Sequence, residues 1–300
     1  MKLRSMLFVP ADSERKLQKS VDSSADALIF DLEDAVVPAR KQIARAMCAA
    51  HLLDMAGKHA WKAFVRVNPL TTPEALADLA AVIGAGIDGI VLPKVDSVHD
   101  IEIVSAHIDA LEVRAGLPRG QTRILVVATE TAQGMLNMSG YGKKLPRLVG
   151  LTWGAEDLST DLGALTNRES DGALSHVYLM ARSMCLLAAS AAQVAPVDTL
   201  YANFRDLEGL AKDCLASRRR GFSGRIAIHP DQVETINRCY TPSDADLDTA
   251  RAVVAAFAAN PDQGTVGIDG RMVDRPHLLQ ALRTLGLAGQ MDGQIVRQED

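Results

Sequence analysis

Short apolar runs alternate with helix-forming segments along most of this chain. Each run is too short for an independent helix, is bounded by glycine, proline or charge, and is rich in the aliphatic residues of buried parallel strands. The segments between the runs, such as 73–83 and 207–215, repeat apolar residues at helical spacing. The eight runs are 6–9, 27–32, 63–67, 89–92, 124–128, 148–153, 194–197 and 226–228.

Strands that alternate with helices predict a parallel sheet. Eight strands in about 230 residues match a (β/α)8 TIM barrel, which typically needs ~250 residues. The seventh run is the weakest, because Pro196 interrupts it. A doubly wound α/β sheet is the alternative, although it requires no particular count of eight. We therefore predict a TIM barrel catalytic domain over residues 1–240.

Residues 241–300 are predicted to form a C-terminal helical extension. Ser243 and Asp246 make an S-x-x-D capping pattern before an alanine-rich helix that reaches Phe257. A glycine-rich turn region, 264–270, precedes a last helix at 276–285, and the final residues 289–300 are polar and expected to be mobile. We expect the extension to pack on the barrel or on a neighbouring subunit, because it is too small for a core of its own.

Composition narrows the class of protein. The 300 residues are 48% hydrophobic, enough for a large core, and the net charge of -5 argues against a nucleic-acid partner. The four cysteines are far apart with no CxxC pair, which favours neither a zinc cage nor a disulfide framework. The first apolar run is too short for a signal peptide, and the alanine-rich stretch 184–197 is too short to span a bilayer. We expect a cytoplasmic protein with no membrane partner.

Two carboxylates carry the strongest chemical signal. Glu130 and Asp157 follow two neighbouring apolar runs, at positions that face the mouth of a parallel barrel. Two carboxylates from different strands suit a hard cation, and Mg²⁺ completed by water and substrate is the better match. The alternative is that both are solvated loop acids.

Charged residues at other predicted strand ends extend this site. Arg66 lies inside an apolar run and is suited to a substrate carboxylate, or else to an internal ion pair with Glu33 or Asp34. Asp31, Glu33 and Asp34, three acids within four residues, are expected to hold metal-bound water or to orient Arg66. Lys94 follows the fourth run, where a desolvated lysine can form a Schiff base. With a metal site at hand we expect Lys94 to be electrostatic or structural.

Basic residues near the first run offer a weaker signal. The chain has neither a GxxxxGK[ST] nor a GxGxxG loop. Arg15, Lys16 and Lys19, with Arg4 close in sequence, are candidates for the phosphates of coenzyme A. A solvated helix face is the more common reason for such a pattern.

A series of motifs resembles the citrate lyase beta-subunit family, the acyl-CoA lyase branch of the HpcH/HpaI aldolase superfamily that includes malyl-CoA and citramalyl-CoA lyases. The resemblance runs in order along nearly the whole chain. Its motifs are RSMLFVPA from Arg4, DLEDAV from Asp31, VRVN from Val65, LPK from Leu92, ET at Glu130, GAEDL from Gly154, IHP from Ile228 and GRMVD from Gly270.

The resemblance implies a TIM barrel of the phosphoenolpyruvate/pyruvate type, with Mg²⁺ on Glu130 and Asp157 and a substrate carboxylate on Arg66. It also implies that Asp274 acts as an acid or base in a neighbouring subunit's site, within a homotrimer or hexamer. From the residues alone, Asp274 is an N-terminal cap for the last helix. One departure is Arg225, where the family usually has lysine.

These features predict a Mg²⁺-dependent carbon–carbon lyase. Its substrate would be a 3-hydroxyacyl-CoA of the malyl-, citramalyl- or citryl-CoA type, cleaved to an acyl-CoA and a 2-oxo acid. Three alternatives stay open: a citrate lyase beta subunit acting on an acyl-carrier-protein thioester, a metal-dependent aldolase on free hydroxy-oxo acids, and a non-catalytic scaffold that binds acyl-CoA.

Overall fold

The structure of the protein is a computed structural model, which describes residues 1–288. The predicted mobile tail at 289–300 lies outside the described residues. The chain divides into two compact units, Met1–Asn237 and Arg238–Asp300.

Eight parallel strands close into a barrel in the first unit, in sequential order, which confirms the predicted TIM barrel. All eight predicted runs supply a strand. The strands are β1 (Ser5–Pro10), β2 (Ala27–Asp31), β3 (Lys62–Arg66), β4 (Gly89–Leu92), β5 (Arg123–Val127), β6 (Leu148–Thr152), β7 (Ala195–Asp198) and β8 (Gly224–Ala227).

Helices follow the strands as the sequence periodicity predicts. Two short 3₁₀ helices, Pro38–Arg40 and Met138–Gly142, interrupt the series. The helices of the barrel are α1 (Glu14–Ser20), α2 (Lys41–Met55), α3 (Glu74–Val82), α4 (Val98–Arg114), α5 (Ala132–Leu136), α6 (Ala155–Asp161), α7 (His176–Ala191) and α8 (Leu207–Arg220), and α9 (Gln232–Tyr240) spans the boundary between the units.

Apolar side chains on alternate strand positions fill the barrel. Met6, Ile29, Phe64, Leu125 and Val197 belong to one buried cluster to which several strands contribute. Successive residues of a strand face opposite sides, so the neighbouring positions pack outward against the helices. The interior is therefore a solid core, and ligands have access at the strand ends.

The second unit contains helix α10 (Asp244–Ala258), strands β9 (Thr265–Ile268) and β10 (Arg271–Asp274) and helix α11 (Arg275–Leu287). The predicted capping box at Ser243 and Asp246 is present. A small apolar cluster of its own joins α10 to α11, contrary to the expectation that this segment is too small for one.

The glycine-rich segment 264–270 is a β-hairpin, where the sequence predicts only a turn region. β9 and β10 pair antiparallel, and both Asp269 and Gly270 have positive φ, 48° and 74°. An Asp-Gly pair is the preferred turn of a tight hairpin, because both central residues need left-handed backbone. The turn signal was present, but the flanking strands are only four residues long.

No helix among residues 1–288 is long and apolar enough to cross a membrane. All four cysteines are buried as thiols.

Candidate active site

Three predicted site residues face one cavity at the carboxyl ends of the barrel strands. Arg66 ends β3, Glu130 lies three residues beyond β5, and Asp157 is in the first turn of α6. All three line a cavity of about 500 Å³ together with side chains from β1, β6 and β8. The parallel barrel brings these distant positions together, because all its strands end at the same rim.

Glu130 is a deeply buried acid of the cavity. One carboxylate oxygen accepts a hydrogen bond of 2.6 Å from the backbone N–H of Lys94, and the residue is 3% exposed. A Cβ at Gly154 would lie 2.8 Å from Cγ of Glu130, so only glycine fits there without a shift. Burial, and then the charge of Asp157, raise the pKa of Glu130 to about 8. A buried carboxylate beside a second one favours a bound cation.

Asp157 is the more accessible partner of the pair. Its side chain is 31% exposed, and Oδ1 lies 3.1 Å from Nζ of Lys94. Asp157 and its neighbour Glu156 both occupy the first turn of α6, where the helix dipole favours negative charge. The side chain of Glu156 accepts instead a hydrogen bond of 2.9 Å from Asn167.

Arg66 is held by a bidentate ion pair with Asp31. Nε and one terminal nitrogen donate to the two oxygens of Asp31 at 2.8 and 2.7 Å. Glu33 lies 3.0 Å and Asp34 3.7 Å from the other terminal nitrogen, and the guanidinium lies 4.5 Å from the centre of the Phe8 ring. Although burial opposes it, these carboxylates raise the pKa of Arg66. The internal ion pair is therefore present, and its main partner is Asp31.

Lys94 links two acids that follow β2, Glu33 and Asp34, to the Glu130–Asp157 pair. Its ammonium contacts Glu33 and lies 3.5 Å from Asp34. Glu33 is 4% exposed at its side chain, and burial raises its pKa even though Arg66 and Lys94 counteract the effect. The predicted supporting residues Glu33, Asp34 and Lys94 thus form one network with Arg66.

The basic residues near β1 separate into two places. Arg4 precedes β1, at the amino ends of the strands, and pairs there with Asp26 at 2.7 Å. Arg15, Lys16 and Lys19 are exposed on α1, which follows the carboxyl end of β1. The structure therefore places Arg4 at the opposite end of the barrel from the cavity.

Asp274 lies in the second unit, at the end of β10 and at the N-cap of α11. Its side chain is 41% exposed and contacts the ring of His277, three residues further on. The predicted capping position is confirmed, and the acid–base role stays a prediction.

A buried polar cluster that the sequence analysis missed forms another wall of the cavity. Asp198, at the end of β7, is fully buried and accepts hydrogen bonds from Trp153 at 2.6 Å and from Arg225 at 2.9 Å. Arg182 of α7 also pairs with it. Burial alone would raise the pKa of Asp198, but Arg225 and Arg182 lower it. In the sequence, the arginine at position 182 on an otherwise apolar helix face could have indicated this buried cluster.

Among residues 1–288, no group of three or more histidine, cysteine or acidic side chains is arranged to hold a metal ion. Glu130 and Asp157 could supply two carboxylate ligands to Mg²⁺, which accepts water or substrate at its other positions.

A protein-family model described as HpcH/HpaI aldolase/citrate lyase matches residues 4–230. A (3S)-malyl-CoA thioesterase of Cereibacter sphaeroides (strain ATCC 17029 / ATH 2.4.9) is 38% identical over 287 residues, covering 95% of this chain and 94% of the relative. The citrate lyase subunit beta of Leuconostoc mesenteroides subsp. cremoris is 35% identical over 289 residues, covering 95% and 93%.

Solved structures agree with these relatives. The protein CitE from Mycobacterium tuberculosis, in complex with magnesium, acetoacetate and coenzyme A, superimposes with a TM-score of 0.74 at 34% identity, covering 95% of this chain and 98% of that one. The citrate lyase beta subunit of the same organism, with oxaloacetate and magnesium, gives 0.66 at 32% identity, covering 79% and 96%. This chain belongs to the HpcH/HpaI aldolase/citrate lyase family.

Proposed function

We propose that the protein is a Mg²⁺-dependent carbon–carbon lyase that acts on a carboxylated 3-hydroxyacyl-CoA. The observation that carries the proposal is the convergence of Glu130, Asp157 and Arg66 on one cavity. Two acids and a cationic fork at the same barrel rim fit a substrate that bears a carboxylate beside its hydroxyl group.

Glu130 and Asp157 would hold the metal ion. The carboxylate of Glu130 is buried, and burial and the charge of Asp157 raise its pKa to about 8, so a bound cation would stabilise its ionised form. The magnesium in the related CitE structures supports this assignment. When bound, Mg²⁺ supplies Lewis-acid polarisation of the substrate oxygens.

Arg66 would bind the substrate carboxylate. Two of its guanidinium nitrogens donate hydrogen bonds to Asp31, which fixes the plane of the group. Arg66 still lines the cavity. A fixed cation stabilises the negative charge that develops on the oxygens during cleavage, since it need not reorganise.

The reaction would be a retro-Claisen cleavage. The hydroxyl group gives its proton to a water molecule, the bond between the carbinol carbon and the thioester α-carbon breaks, and the electron pair of that bond forms the enolate of the departing acyl-CoA. The hydroxyl carbon becomes the ketone or aldehyde of a 2-oxo acid. Asp274 of a neighbouring subunit would donate the proton that the enolate receives.

The exposed cations Arg15, Lys16 and Lys19 would contact the phosphates of the coenzyme. Arg4 is left out of this role, because it pairs with Asp26 at the amino ends of the strands. A substrate carried on an acyl carrier protein would need the same thioester position, and relatives named citrate lyase subunit beta favour that variant.

Hydrolysis of the thioester is the second candidate function. It is favoured by relatives named (3S)-malyl-CoA thioesterase at 38% identity. The two reactions differ in the bond broken: a lyase breaks carbon–carbon and releases a 2-oxo acid, whereas a thioesterase breaks carbon–sulfur and releases a thiol.

An assay with both detections separates the candidates. Purified protein with Mg²⁺ is given malyl-, citramalyl- and citryl-CoA, and 2-oxo acid and free thiol are measured in parallel. A lyase releases 2-oxo acid without thiol, and EDTA, Glu130→Gln and Asp157→Asn each abolish that release. Thiol without 2-oxo acid would replace the lyase with a thioesterase. Absence of both products, in folded and metal-loaded protein, would contradict action on CoA thioesters.

A further inference from the structure

Lys94 lies between two acids that follow β2, Glu33 and Asp34, and the two proposed metal ligands. Its ammonium contacts Glu33 and lies 3.1 Å from Oδ1 of Asp157, while its backbone N–H donates to Glu130. The residue therefore touches both proposed ligands, one through its side chain and one through its backbone.

The backbone of Lys94 adopts an uncommon conformation to do so. Its φ is 51°, in the left-handed region that favours glycine. Glycine at this position would keep the N–H that binds Glu130 and would relieve the strain. A lysine in this conformation indicates that the side chain has a use that glycine cannot meet.

The charges around Lys94 show what that use is. The ammonium contacts Glu33 and lies within 3.5 Å of carboxylate oxygens of Asp34 and Asp157. Arg66 is already bound to Asp31, so the ammonium is the cation that reaches Asp157.

We propose that Lys94 is the resident counter-cation of this carboxylate cluster and that it limits the affinity of the divalent-metal site. A metal ion at Glu130 and Asp157 binds against the positive charge of the ammonium, so Lys94 weakens the binding while its backbone holds Glu130 in place. This inference rests on the proposed metal site.

Charge and backbone can be separated by substitution. Lys94→Met removes the charge and retains the strained backbone, Lys94→Gly removes both, and Lys94→Arg retains the charge. Lys62→Met is the matched control, because Lys62 is an exposed lysine paired with Asp88 at the amino end of β3. Binding is measured by titrating the metal-free proteins with Mn²⁺ and following free Mn²⁺ by electron paramagnetic resonance, which needs no substrate.

The proposal predicts that Lys94→Met and Lys94→Gly bind Mn²⁺ about tenfold more tightly than the wild type, because a like charge has been removed. Lys94→Arg and Lys62→Met should bind as the wild type does. Lys94→Gly should also melt at a higher temperature than Lys94→Met, because only the methionine variant keeps the left-handed strain.

Damage to the fold does not increase the affinity of a metal site. A gain in Mn²⁺ affinity therefore distinguishes this role of Lys94 from a purely structural one. Equal or weaker binding in both charge-deleting variants would overturn the inference and leave the metal site standing. A wild-type protein that binds no Mn²⁺ would overturn the metal site itself, and the role of Lys94 with it.

Discussion

Glu130 shows how closely one residue of this site depends on another. Its carboxylate is fixed by the Lys94 backbone on one side and is bordered by Gly154 on the other. The glycine belongs to the same GAED segment that carries Asp157. The segment after β6 therefore provides one proposed ligand and makes room for the other.

Gly154→Ala should impair metal binding without preventing folding. The backbone of Gly154 has φ near -120°, which any residue adopts, but the added Cβ would lie 2.8 Å from Cγ of Glu130. We expect the affinity for Mn²⁺ to fall about tenfold or more as Glu130 is displaced, a shift of about 1.4 kcal/mol. Gly142→Ala, at a glycine with nothing within 4 Å of its added Cβ, is the control. Unchanged affinity in Gly154→Ala would show that Glu130 is not a ligand.

Glu130 also predicts how the stability of the metal-free protein depends on pH. Its folded pKa of about 8 is above the unfolded value near 4.3, so the native state binds more protons between these values. Stability therefore falls as the pH rises from about 4.5 to 8, by roughly 5 kcal/mol from this group, and levels off above 8.

The check is denaturant unfolding of the wild type, Glu130→Gln and the exposed-residue control Glu14→Gln at several pH values. The Glu130→Gln protein should lose much of the pH slope, and Glu14→Gln should keep it. If the free energy of unfolding had the same pH dependence in the wild type and in Glu130→Gln, the raised pKa of Glu130 would be contradicted.

At the residue scale, the sequence predicted which side chains gather at the rim better than how they pair. Glu130, Asp157 and Arg66 were predicted because charged residues at buried strand ends have few other uses. The partner of Arg66 was expected to be Glu33 or Asp34, yet the bidentate partner is Asp31, the last residue of β2. Which of three nearby acids meets the guanidinium depends on strand register, since Asp31 pairs with Arg66 across β2 and β3.

At the scale of elements, continuous apolar runs made the barrel predictable. A strand covered on both faces needs no polar alternation, so each run stands out from its surroundings. The run around Pro196 also forms a strand, although β7 has only four residues. The β9–β10 hairpin was not predicted, because its strands have only four residues each, like β7, and do not form a continuous apolar run.

Asp274, at the N-terminus of α11, has two candidate roles, as a helix cap and as an acid or base, and substitutions can distinguish them. As a helix cap, Asp274 is replaceable by serine at little cost, whereas alanine should cost about 1 kcal/mol. Neither serine nor alanine at this position can act as an acid or base in its place. We therefore expect Asp274→Ser to retain the thermal stability of the wild type, as measured by circular dichroism, and Asp274→Ala to lose some of it. Both variants should lose turnover by at least about 100-fold. Normal turnover in Asp274→Ser would restrict this residue to capping.

At the scale of the whole molecule, a site shared between subunits has a distinctive signature. If Asp274 serves a neighbouring subunit's Glu130, two inactive variants can restore each other. A mixed oligomer of Glu130→Gln and Asp274→Asn would contain some sites with both native residues, about a quarter for random mixing around a closed ring. Co-expressed variants should therefore regain up to about a quarter of wild-type turnover, while each alone stays inactive. No recovery in a mixed oligomer would place Asp274 in its own chain's site or outside any site.

The position of a bound metal ion shows directly whether Glu130 and Asp157 are ligands. A crystal of the protein soaked in Mn²⁺ with a 2-oxo acid, recorded at a wavelength where manganese scatters anomalously, locates the ion independently of turnover. The account predicts one strong anomalous peak about 2.0–2.2 Å from a carboxylate oxygen of Glu130 and of Asp157. The 2-oxo acid should lie between that ion and Arg66. A peak elsewhere, or none at these two carboxylates under saturating Mn²⁺, would contradict the proposed metal site and the lyase mechanism built on it.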